Sequence, residues 1–256
     1  MAAHVPASLD VRRAGERSRS RAGSLESQHS FSFGTHYDPS NTHHGLLVAN
    51  NQHVVPGGAG FDAHRHRDME IVTWVMRGSL VHEDSTGRRG VIYPGLAQRM
   101  SAGTGILHSE RNDRWRDDQP HAAALPPAHF VQMWVLPDES GVTPGYQQRE
   151  VDDALLGGGL VPVASGMAQH RRHTAIHLHH RQAALLVARL DSGQHVSLPE
   201  APYLHLFVGR GAVDIEDEAA LTEGDAARFT AGGGHRVTAR ESAEVMVWEM
   251  HASATR

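Results

Sequence analysis

Short apolar stretches separated by turn residues run along most of the chain. Residues 45–49 (GLLVA), 69–76 (MEIVTWVM) and 130–136 (FVQMWVL) are β-rich and too brief for core helices. They are punctuated by Pro56-Gly57-Gly58, Ser85-Thr86-Gly87, Pro94-Gly95 and Pro137-Asp138, at the spacing of a sandwich or barrel. Strands resume at 174–178 and 183–190, and long amphipathic helical periodicity is scarce. The pattern predicts an all-β protein.

It also repeats weakly. Residues 69–80 (MEIVTWVMRGSL) match 203–215 (YLHLFVGRGAVDI): a strand, an Arg-Gly turn, a second strand. Residues 104–108 (TGILH) are echoed by 231–235 (AGGGH), and 130–136 by 245–250 (VMVWEM). Two antiparallel barrels made by duplication are the simplest account. The expected organisation is a flexible tail over 1–24, a first barrel over 25–138, a linker over 139–168 and a second barrel over 169–256. The tail is expected because Arg12, Arg13, Arg17, Arg19 and Arg21 alternate with small and acidic residues that bury little. Residues 112–129, with Pro120, Pro126 and Pro127, read as a long loop or insertion.

Composition narrows the chemistry. A length of 256 residues suits one large or two ordinary domains, and a net charge of −5 argues against a chain-wide nucleic-acid surface. With no cysteine, thiol catalysis, disulfides and thiolate metal sites are excluded, so any metal must use imidazole, carboxylate or water. No apolar run approaches the about 20 residues that span a bilayer, and the N-terminus gives no sign of a secretory leader. A cytoplasmic protein is the expectation.

Among 21 histidines, two pairs stand out. In GFDAHRHRDME (60–70), an extended strand puts His64 and His66 on one face, roughly 6.6 Å apart along it. Asp68 and Glu70 continue that parity. In GTGILHSERN (103–112), His108 and Glu110 share a face by the same rule. If the two strands meet across a barrel interior, three nitrogens and a carboxylate enclose one cation. Such donors suit Fe(II), Mn, Ni, Co, Cu or Zn.

These residues also carry a family resemblance. Gly58-(x)5-His64-x-His66-(x)3-Glu70-(x)7-Gly78 is similar to the first cupin motif, and Gly105-(x)2-His108-(x)3-Asn112 to the end of the second, with Gly103 where cupins usually have Pro. More specifically, the chain resembles the pirin family, and within it the bacterial two-cupin members taken as quercetin 2,3-dioxygenases. The resemblance rests on His29-Ser30-Phe31-Ser32-Phe33, Tyr37-Asp38-Pro39, Gly60-Phe61, His64-x-His66-Arg67-Asp68-Met69-Glu70, His82-x-Asp84-Ser85-x-Gly87, Gln98-x-Met100-Ser101-Ala102-Gly103-Thr104-Gly105 and His108-Ser109-Glu110-x-Asn112. It covers roughly 10–256 and is loose in the second half.

What the resemblance implies is specific. The fold is a bicupin, with one divalent metal, commonly Fe(II), in the first barrel. Its ligands are His64, His66, His108 and Glu110. Many cupins draw the carboxylate from the first motif, here Glu70; the pirin pattern favours Glu110 and leaves Glu70 as a core or supporting partner that orients a ligand imidazole. Arg65 stands where relatives often have Pro and is expected to point away from the metal. The second copy lacks the site, with Val237 at the position of Glu110 and His235 a structural remnant. The 170–180 run (HRRHTAIHLHH) reads as a solvated strand edge. The implied activity is flavonol 2,3-dioxygenation with O2 and release of carbon monoxide, with Glu110 also as proton acceptor provided it loosens from the metal. The alternative is a redox-dependent regulator binding a protein partner. Neither reading involves a membrane or direct contact with nucleic acid, and a monomer is expected.

Overall fold

Alternation of apolar and polar positions sorts the strands into two seven-stranded and two four-stranded sheets. The computed structural model describes residues 7–115 and 120–254. In the N-terminal half, the larger sheet runs Gly145–Glu150, Leu96–Ser101, Glu70–Arg77, Ala128–Val135, Leu47–Val55, Leu25–His29, Ser18–Ala22. Facing it is a sheet ordered Gly60–His66, Ile106–Arg111, Leu80–Asp84, Arg89–Ile92. The C-terminal half repeats this plan. Glu70–Arg77 corresponds to Ala201–Arg210, Ala128–Val135 to Ala243–Met250, and Ile106–Arg111 to Arg236–Ala239. The sequence repeats map onto these pairs, and the architecture is a bicupin of jelly-roll type.

The larger sheets of the two halves pack against each other. Trp74, Met133, Phe207 and Trp248 belong to one buried cluster with residues from both halves, and Trp74 Nε1 donates to Glu244 Oε1 at 2.5 Å across the joint. The barrel interiors differ. The C-terminal interior is one continuous apolar cluster that includes Val196, Ile215 and Val237. The N-terminal interior is split into two apolar patches, one around Phe130 and Leu80, the other around Ile71 and Met100. Buried polar side chains such as His53, His82, Gln132, His108 and Glu110 accompany that split. Buried polar groups need partners, so this half is where chemistry is to be sought.

Two expected boundaries change. The segment read as a tail forms strands: Ser8–Arg12 joins the edge of the C-terminal large sheet beside Ala226–Gly232, and Ser18–Ala22 pairs with Leu25–His29. Its arginines find partners that composition alone does not reveal. Arg13 pairs with Asp225 at 3.0 Å, and buried Arg17 donates to Gln52 and lies over the Phe207 ring. Residues 1–6 lie outside the described residues. The expected linker is likewise structured. Gly145–Glu150 extends the first large sheet, and after a one-turn helix Val161–Ser165 enters the second. In the proline-rich stretch a short 3-10 turn, Ala122–Ala124, precedes Ala128–Val135. No helix among the described residues is long and apolar enough to cross a membrane.

Gly103 explains its own departure from the cupin proline. Its φ is +47°, and a Cβ there would sit 1.9 Å from the Val142 carbonyl oxygen, so no other residue fits the turn.

Candidate metal centre

The strand Gly60–His66 carries His64 and His66 on one face, with Arg65 exposed on the other. Ile106–Arg111 pairs antiparallel with it and sets His108 opposite His64. The register then slips: Glu110 lies opposite Phe61, so residues 61–64 hold one more residue than the partner stretch, a β-bulge. At the bulge, the Asp62 carbonyl accepts from His64 Nδ1 at 2.8 Å. A carbonyl cannot donate, so the neutral His64 ring keeps its lone pair on Nε2.

The three rings converge. Centroid separations are 4.4 Å for His64–His108, 4.8 Å for His64–His66 and 4.9 Å for His66–His108. His64 Nε2 lies 3.1 Å from His108 Nε2, while His66 Nε2 is buried without a hydrogen-bond partner. Burial first, then the His108 and His64 rings, pushes His66 down to about 4. Burial, then His64 and His82, pushes His108 down to about 3. At neutral pH both are therefore uncharged and able to donate electron pairs.

A divalent transition metal fits this donor set. Two nitrogens each about 2.1 Å from one ion and at right angles lie roughly 3.0 Å apart, close to the His64–His108 spacing. The orphaned His66 nitrogen supplies a third donor. One ligand atom from each of the three imidazoles lies within 4.8 Å of the others.

Glu110 is placed beside this group. It meets the same 4.8 Å limit in a second, fully buried set with His82 and His108, and its Oε2 accepts from Gln132 Nε2 at 2.7 Å. It shares a cavity of about 310 Å3 with His64 and His66. Phe33, Phe61 and Trp134 line the same space, together with His29, His53 and Gln132. Trp134 meets His66 edge-on at 4.8 Å and Phe33 at 5.2 Å. Larger hollows of about 530 Å3 lie at the barrel joint and near residues 165–171, but neither is lined by a group of three metal-binding side chains.

Sequence reasoning missed these cavity walls. A signal existed in FVQMWVL, where polar Gln132 sits on the inward parity of an otherwise apolar strand.

Glu70 does not orient a ligand imidazole. Asp68 adopts φ +47° and breaks the strand between His66 and Glu70, so the parity that joined them is reset. Glu70 is fully buried and instead accepts from the His179 backbone at 3.1 Å and His179 Nδ1 at 3.3 Å, with Arg99 at 3.8 Å. The 170–180 run holds exposed His173, His177 and His179, and among the described residues it forms no three-ligand group. His235 packs against Phe229 with ring centroids 5.1 Å apart and the rings tilted, while Val237 and Ile215 are buried in apolar core.

A bicupin with an imidazole cluster and a carboxylate in one barrel defines a class, and comparison gives the family. Residues 11–135 match the Pirin family model. A Mycobacterium tuberculosis protein, provisionally named a quercetin 2,3-dioxygenase, is 55% identical over 248 residues, covering 97% of both chains. An Escherichia coli quercetin 2,3-dioxygenase is 41% identical over 151 residues, covering 59% of this chain and 61% of that one. The structure of the E. coli bacterial pirin YhhW in complex with nickel(II) superposes with a TM-score of 0.81 at 29% identity, covering 96% of this chain and all of that one. The chain belongs to the pirin family.

Proposed function

We propose that this chain is a metal-dependent dioxygenase that cleaves a flavonol such as quercetin with O2, giving a depside and carbon monoxide. The observation that carries the reading is the His64–His66–His108 cluster beside Glu110, opening on an aromatic-walled cavity of about 310 Å3. That volume lies at the lower end of the range for small-molecule sites. The names of the relatives support the same activity.

One divalent ion, Fe(II) first and Ni, Co, Cu, Mn or Zn as alternatives, would be held by His64, His66, His108 and Glu110. When bound it would supply Lewis acidity to the reaction. The side chains do the rest. Phe33, Phe61 and Trp134 take the flat rings of the substrate and exclude water from them. Gln132 Nε2 donates to Glu110 Oε2, and Oε1 receives the proton of the 3-hydroxyl group provided that the carboxylate is not tightly ligated at that point. His53, with Nδ1 2.7 Å from Ser27 Oγ, presents a polar edge to the ring hydroxyls.

The test is to load purified protein with Fe, Ni, Co or Cu and follow flavonol absorbance, O2 uptake and carbon monoxide release together. Turnover with at least one metal is expected. No turnover with any metal, alongside metal-dependent capture of a protein partner, would replace the enzyme with the regulator.

A further inference from the structure

The motif His82-x-Asp84 has no part in the reading above, yet it lies directly behind His108. Leu80–Asp84 pairs with Ile106–Arg111 on the side away from Gly60–His66. The His82 and Asp84 side chains are completely buried. Asp84 Oδ2 is 3.2 Å from His82 Nε2, and His82 Nδ1 is 3.4 Å from His108 Nδ1. On the far edge of the ring, His108 Nε2 faces His64. A carboxylate and two imidazoles thus form a line ending at the candidate metal centre.

The protons along this line follow by elimination. Burial alone would raise the Asp84 carboxyl, but bonds from the Thr86 hydroxyl, His82, and the Thr86 and Arg88 backbones outweigh it and hold it below the ordinary carboxylate range. An ionised carboxylate only accepts, so His82 Nε2 donates to it. When His82 carries a single ring proton, that bond takes it, only a lone pair is left on Nδ1, and His108 Nδ1 donates to it. The His108 lone pair is left on Nε2, on the side of His64 and His66. An unrestrained neutral imidazole favours the opposite form, with its proton on Nε2, which would place a hydrogen where a ligand bond is needed. The second barrel supports the link. There Val237 pairs with Ile215, as Glu110 pairs with His82 in the first, so the barrel without the imidazole cluster has no relay behind His235.

We propose that Asp84 and His82 are positioning residues that lock His108 in its Nδ1–H tautomer and so commit its Nε2 lone pair to a divalent transition metal. This rests on the metal-site reading given under Proposed function. It assigns the His82-x-Asp84 motif a task at the metal rather than in the barrel core. Loss of such a supporting partner lowers metal affinity by roughly 10- to 100-fold.

The first test needs no metal. Long-range 1H–15N correlation spectra of the metal-free protein, with the His108 signals assigned through His108→Gln, should show His108 protonated on Nδ1 and His82 on Nε2. His108 protonated on Nε2, or an even mixture, overturns the proposal. Nickel(II) calorimetry is the second test. His82→Phe and Asp84→Asn should weaken binding by roughly 10- to 100-fold. Glu83→Gln, on the exposed face of the same strand where it pairs with Arg89, should bind like wild type. Unchanged affinity in His82→Phe overturns the relay and leaves the site standing. Nδ1–H His108 in a wild-type protein that takes up no nickel, iron or cobalt means that the metal reading fails, and the proposal with it. If His82→Phe does not fold, the wild-type spectrum and Asp84→Asn decide.

Discussion

His64 Nε2 and His108 Nε2 face each other at 3.1 Å from adjacent antiparallel strands. The His64 proton is directed to the Asp62 carbonyl, so this nitrogen approaches His108 lone pair first. A cation between the rings satisfies both nitrogens, and His66 Nε2 as a third.

Metal should therefore stabilise the folded chain. At a free concentration 100-fold above its dissociation constant, nickel(II) adds about 2.7 kcal/mol by mass action. For a chain of this size that raises the melting temperature by several degrees, reversibly on chelation. Differential scanning calorimetry with and without EDTA checks it, and an unchanged melting temperature counts against the site.

Glu110→Gln keeps the shape of the side chain but removes its basicity. It is expected to lower kcat by roughly 10²- to 10⁴-fold while flavonol binding changes little. Metal content measured in the same samples separates a lost proton acceptor from a lost ligand. Wild-type turnover in a metal-replete variant would remove Glu110 from the proton step.

Trp134→Ala should act on binding. Trp134 connects His66 to Phe33 along the cavity wall. Its loss is expected to raise KM for the flavonol on the order of tenfold with a smaller change in kcat. A fall in kcat at unchanged KM would place the substrate elsewhere.

Stability of the metal-free protein should fall on acidification. His53 is pushed down to about 3, by burial first and then by His29, Arg17 and His129. His44 is pushed down to about 4 by burial and Arg228. Both are neutral in the fold, whereas the unfolded chain takes up their protons below about 6.5. Stability present above that pH is thus lost as pH falls towards 4 and 3, with His53 alone contributing on the order of 2 kcal/mol by pH 5. Thermal melts between pH 7.5 and 4.5 should show the decline, less steep in His53→Gln; a flat profile contradicts it.

The fold was legible because strand length, turn residues and an internal repeat all point the same way. His64 and His66 were legible because a strand's period of two needs only local regularity. The same rule failed at Glu70, where Asp68 reverses the backbone and restarts the parity. It also overlooked the bulge in residues 61–64, opposite His108 and Glu110, and Glu110 lies beside the imidazoles rather than in a group with all three. Residues 8–22 were misread because their strands are polar edges, fixed by distant partners such as Asp225 and Phe207 that lie some two hundred positions away. The roles of His82 and Asp84 depend on which strand lies behind His108, a fact of sheet order that no local pattern encodes.

The central claim is that side chains from two distant segments grip one ion. Elemental analysis of tag-free protein, wild type beside the His64→Ala/His108→Ala variant, tests it most directly. The account predicts about one metal per wild-type chain and none in the variant, with cooperative unfolding in both. Undiminished metal in a folded variant would contradict it and move the search to the histidines of 170–180.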